Sequence, residues 1–237
     1  MVKTIAQVMP QVVAKLSTVT LVRSTTQTTT PVSRSGRRDQ KTSGIDQMFD
    51  NFIADEPSLV AARDAAMAFV RAVSSAPYDD GYCLTLCGRS GTGKTFMARC
   101  ILNALRFSAW GECDAIRPDI VGGSVRRFSA GFYDMRRVSD GFKSGNWGVV
   151  EVIEEKSLAV LDDIGSDYDP SKVTTSKVDR ILRTRSKRWT VLTMNFPMNE
   201  IASRLDARIA SFIIRDENKF VEIKAGDFAM RKFNKTK

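Results

Sequence analysis

Residues 82–107 read YCLTLCGRSGTGKTFMARCILNALRF, and this stretch decides the fold. An apolar run predicts a buried parallel strand at residues 82–87, and helical spacing predicts a helix at residues 96–107. Between them, residues 88–95 match the pattern G-x-x-x-x-G-K-[ST] at every fixed position, in the strand-to-helix context that the pattern requires. We name residues 88–95 the phosphate-binding loop. The pattern predicts a mononucleotide site at the edge of a parallel sheet.

The phosphate-binding loop offers several kinds of contact to a nucleoside triphosphate such as ATP. Its glycines let backbone amides wrap the phosphates, and the following helix directs its positive end toward them. Lys94 is expected to reach the β- and γ-phosphates, and the Thr95 hydroxyl to ligate Mg²⁺. The predicted nucleotide contacts in the loop are Gly88, Arg89, Ser90, Gly91, Thr92, Gly93, Lys94 and Thr95.

Two further apolar runs end in polar side chains suited to nucleotide chemistry. LAVLDDIG at residues 158–165 places Asp162 and Asp163 where a strand ends, the edge at which ligands bind in such sheets. Asp162 is predicted to hold the Mg²⁺ shell, and Asp163 to orient the attacking water. In TMNFP, residues 193–197, Asn195 is predicted to touch the γ-phosphate or that water.

Strand and helix patterns alternate along the chain, which predicts an α/β fold with a parallel sheet covered by helices on both faces. Further helices are expected at residues 59–73, 132–142 and 176–188, further strands at 157–161 and 190–194, and a loop or insertion at 110–123. Residues 1–47 differ from the rest, because a threonine-rich polar tract there cannot bury enough apolar surface to order itself. We interpret them as a short N-terminal arm and linker, ahead of a domain at residues 48–237.

Composition restricts the chemistry of the chain. Histidine is absent, which excludes histidine general bases, nucleophile pairs with histidine and most zinc sites. A net charge of +9 indicates a polyanionic partner such as nucleic acid. Cys83, Cys87, Cys100 and Cys113 are interpreted as buried thiols of a reducing compartment. No apolar run reaches the roughly 18 residues of a membrane span, so we expect a cytoplasmic protein without a membrane partner.

Several segments of residues 48–237 together resemble the DnaC family of helicase loaders, a branch of the AAA+ ATPases related to the initiator DnaA. The resemblance extends beyond the phosphate-binding loop, and implies an AAA+ fold that binds ATP and Mg²⁺. The matching segments are MFDNF (48–52), AARDAAMAFV (61–70), FYDMRRVSDGFKSG (132–145), DRILRTRSKRWTVLTMN (179–195), RLDARIAS (204–211) and GDFAMR (226–231).

The resemblance also implies partners. Such loaders grip a hexameric replicative helicase through an N-terminal domain, associate with one another through their AAA+ domains, and bind single-stranded DNA. The segment at residues 132–145 corresponds to one that faces DNA in the family, and it combines cations with an aromatic ring, as phosphate contact and base stacking require. The predicted DNA contacts are Arg136, Arg137, Phe142 and Lys143. A second basic cluster is interpreted as an exposed helix end: Arg183, Arg185, Lys187 and Arg188.

The sequence departs from the family at three places. Phe212 follows the RIAS stretch where the family has an arginine, so Arg208 or Arg215 must supply the arginine finger, or the finger is missing. Ala229 follows GDF where an arginine is common, which leaves Arg231 as the sensor 2 candidate. The link at residues 110–123 is longer than usual. The first two departures concern ATP turnover more than ATP binding.

Two other functions remain open at this stage. An IstB-type ATPase shares the same core and delivers double-stranded DNA to a transposase, although the helix at residues 61–70 favours a loader. An ATP-binding adaptor that does not turn over is compatible with Phe212.

Overall fold

A computed structural model describes most of the chain from residue 47 onward. The predicted arm and linker lie outside the described residues except for Gln47, and so does Cys113. For residues 106–110, 119–121, 124–126 and 235, only the backbone is described. The described residues are 47–75, 80–110, 119–121, 124–126, 128–167 and 169–235.

Five strands form a parallel sheet in the order β4-β5-β6-β1-β7, and two more form a separate antiparallel pair, β2-β3. The order is not that of the chain, so helical crossovers connect most neighbouring strands. The strands are β1 (Cys83–Gly88), β2 (Asp119–Val121), β3 (Ser124–Arg126), β4 (Ala130–Asp134), β5 (Leu158–Ile164), β6 (Trp189–Met194) and β7 (Lys219–Ile223).

Helices cover both faces of the five-stranded sheet, as the alternation of patterns predicts. They are α1 (Pro57–Ser75), α2 (Lys94–Trp110), α3 (Met135–Lys143), α4 (Val149–Glu155), α5 (Val173–Thr184), α6 (Ile201–Arg204), α7 (Ala207–Ile213) and α8 (Phe228–Lys235). Within the described part of the chain, no helix has the length and hydrophobicity that a bilayer crossing requires.

Strand β1 separates two hydrophobic cores. Its residues alternate between the two faces of the sheet, so Cys83 and Cys87 pack in one core and Leu84 and Leu86 in the other. The first core lies against α3 to α7, and the second against α1 and α2. Both thiols are free and buried, as is that of Cys100, which confirms that these three cysteines are buried thiols.

The strand order determines where the functional site lies. Strands β5, β6 and β1 are neighbours and run parallel, so their carboxyl ends meet at one edge of the sheet. The phosphate-binding loop follows β1, and Asn195 follows β6, while Asp162 and Asp163 lie at the end of β5. The three motifs that the sequence separates by up to about a hundred residues therefore converge.

Part of the predicted helix at residues 132–142 is wrong. Residues 130–134 form β4, which pairs with β5, and α3 begins only at Met135, where the Asp134 carboxylate caps the helix by accepting from the Arg136 amide. The loop predicted at residues 110–123 is also partly wrong, because Trp110 closes α2 and residues 119–121 are a strand. The rest of that segment lies outside the described residues.

The interpretation of Arg185 as part of an exposed helix end is wrong as well. Its side chain is 1% exposed, and its guanidinium donates to the carbonyls of Ile153 (2.8 Å), Lys156 (2.6 Å) and Trp189 (2.6 Å) and to Thr190 Oγ1 (3.1 Å). Burial lowers the pKa of the guanidinium to about 10. The arginine joins the end of α4 to β6, and each acceptor would lose one charge-assisted hydrogen bond without it.

We predict that Arg185→Ala lowers the free energy of unfolding by roughly 3 kcal/mol or more, because several buried acceptors lose charge-assisted hydrogen bonds. Urea unfolding followed by circular dichroism measures the change. Arg183→Ala is the matched control: that arginine is exposed and pairs with Asp179 at 2.9 Å, an interaction worth about 0.5 kcal/mol. Equal midpoints for the two variants would contradict the structural role of Arg185.

Candidate nucleotide-binding site

A cavity of about 570 Å³ opens at the carboxyl edge of the sheet, beside the phosphate-binding loop. One part of its wall is polar and the other part is apolar, which suits a ligand with a charged end and an aromatic end. The cavity is lined by Asn51, Phe52, Ile53, Ser90, Gly91, Thr92, Gly93, Lys94, Thr95, Phe96, Asp134, Arg136, Asp162, Asp163, Asn195, Phe228 and Arg231.

The phosphate-binding loop has the backbone that its glycines predict. Gly91 and Gly93 adopt left-handed φ angles of 74° and 93°. A Cβ on Gly91 would lie 1.7 Å from a carboxylate oxygen of Asp227, so a larger residue would have to displace that side chain as well as adopt the left-handed φ. The loop therefore curves tightly enough for its amides to face one ligand. Of the predicted contacts, Gly88 and Arg89 are not part of the cavity lining.

Lys94 is the buried cation of the site. Its side chain is 5% exposed, and its ammonium donates to the Arg89 carbonyl at 2.6 Å and to Thr92 Oγ1 at 3.3 Å. Desolvation lowers the pKa of Lys94 to about 8, although the charges of Asp163, Cys87 and Asp162 act in the opposite direction. A phosphate group would compensate this desolvated charge, so the loop fits a polyphosphate.

Asp162 lies where a metal ligand is expected. Its carboxylate accepts from Thr95 Oγ1 at 3.0 and 3.1 Å and from Thr193 Oγ1 at 2.6 Å. Burial raises the pKa of Asp162, and the two threonine hydroxyls oppose that shift. Thr95 and Asp162 together offer two oxygen ligands, which fits Mg²⁺ because this ion takes one or two protein oxygens beside phosphates and water.

Asp163 is held in a fixed orientation next to Asp162. Its φ of 65° is left-handed, and its amide donates to Thr193 Oγ1 at 2.8 Å. The carboxylate accepts from Ser166 Oγ and Asn195 Nδ2, and it pairs with Arg136 at 2.7 Å. The left-handed residue turns the carboxylate into the cavity at the point where β5 loses its regular pairing. The structure thus brings Asn195 and Asp163 together at the sheet edge, while their roles toward phosphate and water stay predictions.

The apolar part of the cavity comes from Phe96 of α2 and from the two ends of the described chain. Phe52 precedes α1, and Phe228 opens α8, where its amide donates to the Gly91 carbonyl at 2.9 Å. Arg231 also lines the cavity, and its guanidinium pairs with Asp55 and, at 3.4 Å, with Glu56. Neither phenylalanine was identified as a site residue from the sequence, although both lie inside segments that carry the family resemblance.

The structure divides the four predicted DNA contacts. The prediction that Phe142 stacks on a base is wrong, because the ring is 2% exposed and packs in the core below Trp147. Arg136 lies in the cavity and pairs with Asp163, so its position suits nucleotide rather than DNA. Arg137 and Lys143 are exposed at 83% and 58%, and their role as DNA contacts stays a prediction.

Arg208 is not part of this cavity. Its side chain is 64% exposed and pairs with Asp206 at 3.1 Å, in a shallow cleft between α5 and α7. If Arg208 has a role in ATP turnover, it must therefore act on ATP bound in the cavity of a second molecule. Phe212 is buried in the core, so its aromatic side chain serves packing there.

Solved structures with a similar architecture include a helicase loader, DnaI and a replication initiator. The DnaC helicase loader is 22% identical, with a TM-score of 0.58, over 76% of this chain and 98% of that one. DnaI is 21% identical, with a TM-score of 0.59, over 76% and 89%. DnaA bound to AMPPCP and single-stranded DNA is 15% identical, with a TM-score of 0.56, over 80% and 55%.

These similarities confirm the predicted AAA+ fold, with its parallel sheet flanked by helices, and the resemblance to DnaC-type loaders at the level of fold. No family model matches the chain, and no curated protein does.

The pKa of Lys94 predicts how nucleotide affinity depends on pH. Because the ammonium has a pKa of about 8 without ligand, and a bound triphosphate raises it, binding above pH 8 must take up a proton. Affinity for a fluorescent ATP analogue should be constant at pH 6–7 and fall by up to about tenfold per pH unit above 8. Fluorescence titration across this range measures it.

Two variants of Lys94 check the origin of that dependence. Lys94→Ala should lose about 10- to 150-fold in affinity at pH 7, because one charge-assisted contact to phosphate is lost. Lys94→Arg keeps a cation that does not titrate, so its affinity should be level from pH 7 to 9. A fall above pH 8 in the arginine variant would assign the titration to another group.

Proposed function

We propose that this chain is an ATP-dependent loader that binds a hexameric replicative helicase and helps to place it on single-stranded DNA when replication begins. The observation that carries the proposal is the convergence of four polar side chains on one cavity: Lys94, Asp162, Asp163 and Asn195. The fold around them aligns with 98% of the length of the DnaC loader. The structurally similar DnaA binds AMPPCP and single-stranded DNA, which supports the same ligand classes here.

ATP hydrolysis is the chemistry that the cavity fits. The phosphate-binding loop and Lys94 would hold the triphosphate, while Thr95 and Asp162 would hold Mg²⁺. The positive charge of Mg²⁺ would neutralise the negative charge that develops on the phosphate oxygens. Asp163 would accept a hydrogen bond from the attacking water and align it with the γ-phosphorus. Asn195 keeps the Asp163 carboxylate oriented from the neighbouring strand.

We also propose that the chain associates with itself and that Arg208 acts on the cavity of an adjacent copy. In support, the Arg208 guanidinium is exposed and lies outside its own cavity. In the adjacent copy it would stabilise charge on the transferring phosphate. Turnover should then rise with protein concentration.

We predict that Asp163→Asn keeps nucleotide affinity and lowers ATP turnover roughly 100-fold or more, because the amide cannot take the proton of the water. Asparagine tolerates the left-handed φ of this position, so the fold should be unaffected. Phosphate release and analogue binding are measured on the same preparation. Asp64→Asn, an exposed change in α1, is the control. Wild-type turnover in Asp163→Asn would remove the role of Asp163.

The helicase partner is tested with the full chain and with a variant that lacks residues 1–40. We expect the full chain to co-elute with a hexameric replicative helicase in the presence of ATP, and the shortened chain to bind ATP without the helicase. The reason is that the ATP motifs all lie after residue 47, while the loader resemblance places the helicase contact before it.

The same experiment separates the competing functions. Capture of a transposase instead of the helicase would replace the loader with a transposition helper. Helicase binding that survives the deletion would move the interface into residues 41–237.

A further inference from the structure

Trp147 is an exposed aromatic ring on a rigid support. It lies in the loop between α3 and α4, and its side chain is 44% exposed. The ring packs against that of Phe142 with a centroid distance of 5.7 Å and an interplanar angle of 11°. Because Phe142 is itself buried in the core, its ring fixes the orientation of the Trp147 ring that stacks on it.

The backbone around Trp147 is also fixed. Gly145 adopts a φ of 82°, and its amide donates to the Phe142 carbonyl at 3.1 Å. The Asn146 amide donates to the Gly141 carbonyl at 2.9 Å, and the Trp147 carbonyl accepts from Val150 at 3.1 Å. A ring held in this way loses little conformational freedom when a ligand stacks on it.

One cation contacts the ring, and a second lies close to it in the sequence. The Lys177 ammonium, which α5 contributes, lies 4.9 Å from the centre of the Trp147 ring, and Lys143 ends α3 four residues before it. The neighbouring carboxylates already have cationic partners, Asp140 with Lys143 at 3.5 Å and Glu151 with Arg180 at 3.1 Å. The chain as a whole carries a net charge of +9.

We propose that Trp147 is a stacking site for an unpaired base of single-stranded DNA, with Lys177 and Lys143 contacting the flanking phosphates. This inference deepens the proposed function, on which its choice of DNA rests. An exposed cation–π contact changes an equilibrium constant about 2- to 5-fold, whereas a stacked base changes affinity about 5- to 150-fold. A base can therefore displace the Lys177 ammonium from the ring and leave it free to reach a phosphate.

Single-strand preference follows from the same geometry. In a duplex the faces of a base are covered by its neighbours, so an aromatic platform gains nothing from paired DNA. Phosphate contacts through lysine are available to both forms of DNA. The ring, rather than the charge, should therefore distinguish single-stranded from double-stranded DNA.

The test is an anisotropy titration of labelled oligodeoxythymidylate with the full chain and ATP at several salt concentrations. Trp147→Ala should weaken binding about 5- to 150-fold and leave the salt slope unchanged. Lys177→Ala should weaken binding and lower the magnitude of the slope of log affinity against log salt by about 0.7. Trp147→Phe keeps a stacking ring and should recover most of the lost affinity.

Val152→Ala is the matched control, since Val152 is an exposed apolar residue of the adjacent α4, 47% exposed, and should bind as wild type does. Wild-type affinity in Trp147→Ala would overturn the stacking site while leaving the proposed function intact. Equal weakening of duplex binding by Trp147→Ala would also overturn it, as would loss of helicase binding with DNA affinity retained. No binding of the oligonucleotide by the wild-type chain would instead remove the DNA part of the proposed function.

Discussion

The arrangement of the site depends on the buried carboxylate of Asp162, which joins three elements of the sheet and its helices. From the end of β5 it accepts hydrogen bonds from Thr95 at the start of α2 and from Thr193 near the end of β6. Thr193 also accepts the amide of Asp163, so one threonine fixes both acidic residues. Because an unsatisfied buried carboxylate is costly, these bonds specify the relative positions of the loop and the two strands.

Charge balance in the cavity follows from that arrangement. Lys94 is the desolvated cation, and Asp162 and Asp163 are the nearby anions. Arg136, in the N-terminal turn of α3, forms an ion pair with Asp163. A triphosphate adds negative charge next to Lys94, and a divalent cation adds positive charge next to Asp162. The protein therefore presents two sites of opposite sign that a nucleotide and its metal occupy as a pair.

The sequence was sufficient to place residues that belong to a motif at a fixed position after a strand. The phosphate-binding loop and Asn195 follow strands, and Asp162 lies at the end of one. The order of these strands brings the three together, and each could be placed from its motif. The roles within α3 could not be read from its composition, because helical phase decides them: Val138 and Phe142 lie on the inward face. Arg136 and Arg137 are both exposed, at 59% and 83%, and of these two Arg136 lines the cavity. The inward role of Arg185 depends on carbonyls distant in sequence, which no local pattern reveals.

Helix α3 is fastened to the rest of the domain at three successive turns. Arg136 contacts Asp163, Ser139 donates to Asp167 at 2.5 Å and lies 2.7 Å from Thr174 Oγ1, and Phe142 supports Trp147. Phe142 lies six residues after Arg136, a rise of about 9 Å along the helix, so a rigid shift of this short helix would move both contacts. Thermodynamic reciprocity then applies. If bound nucleotide alters the affinity of Trp147 for single-stranded DNA, the DNA must alter the affinity for nucleotide by the same factor.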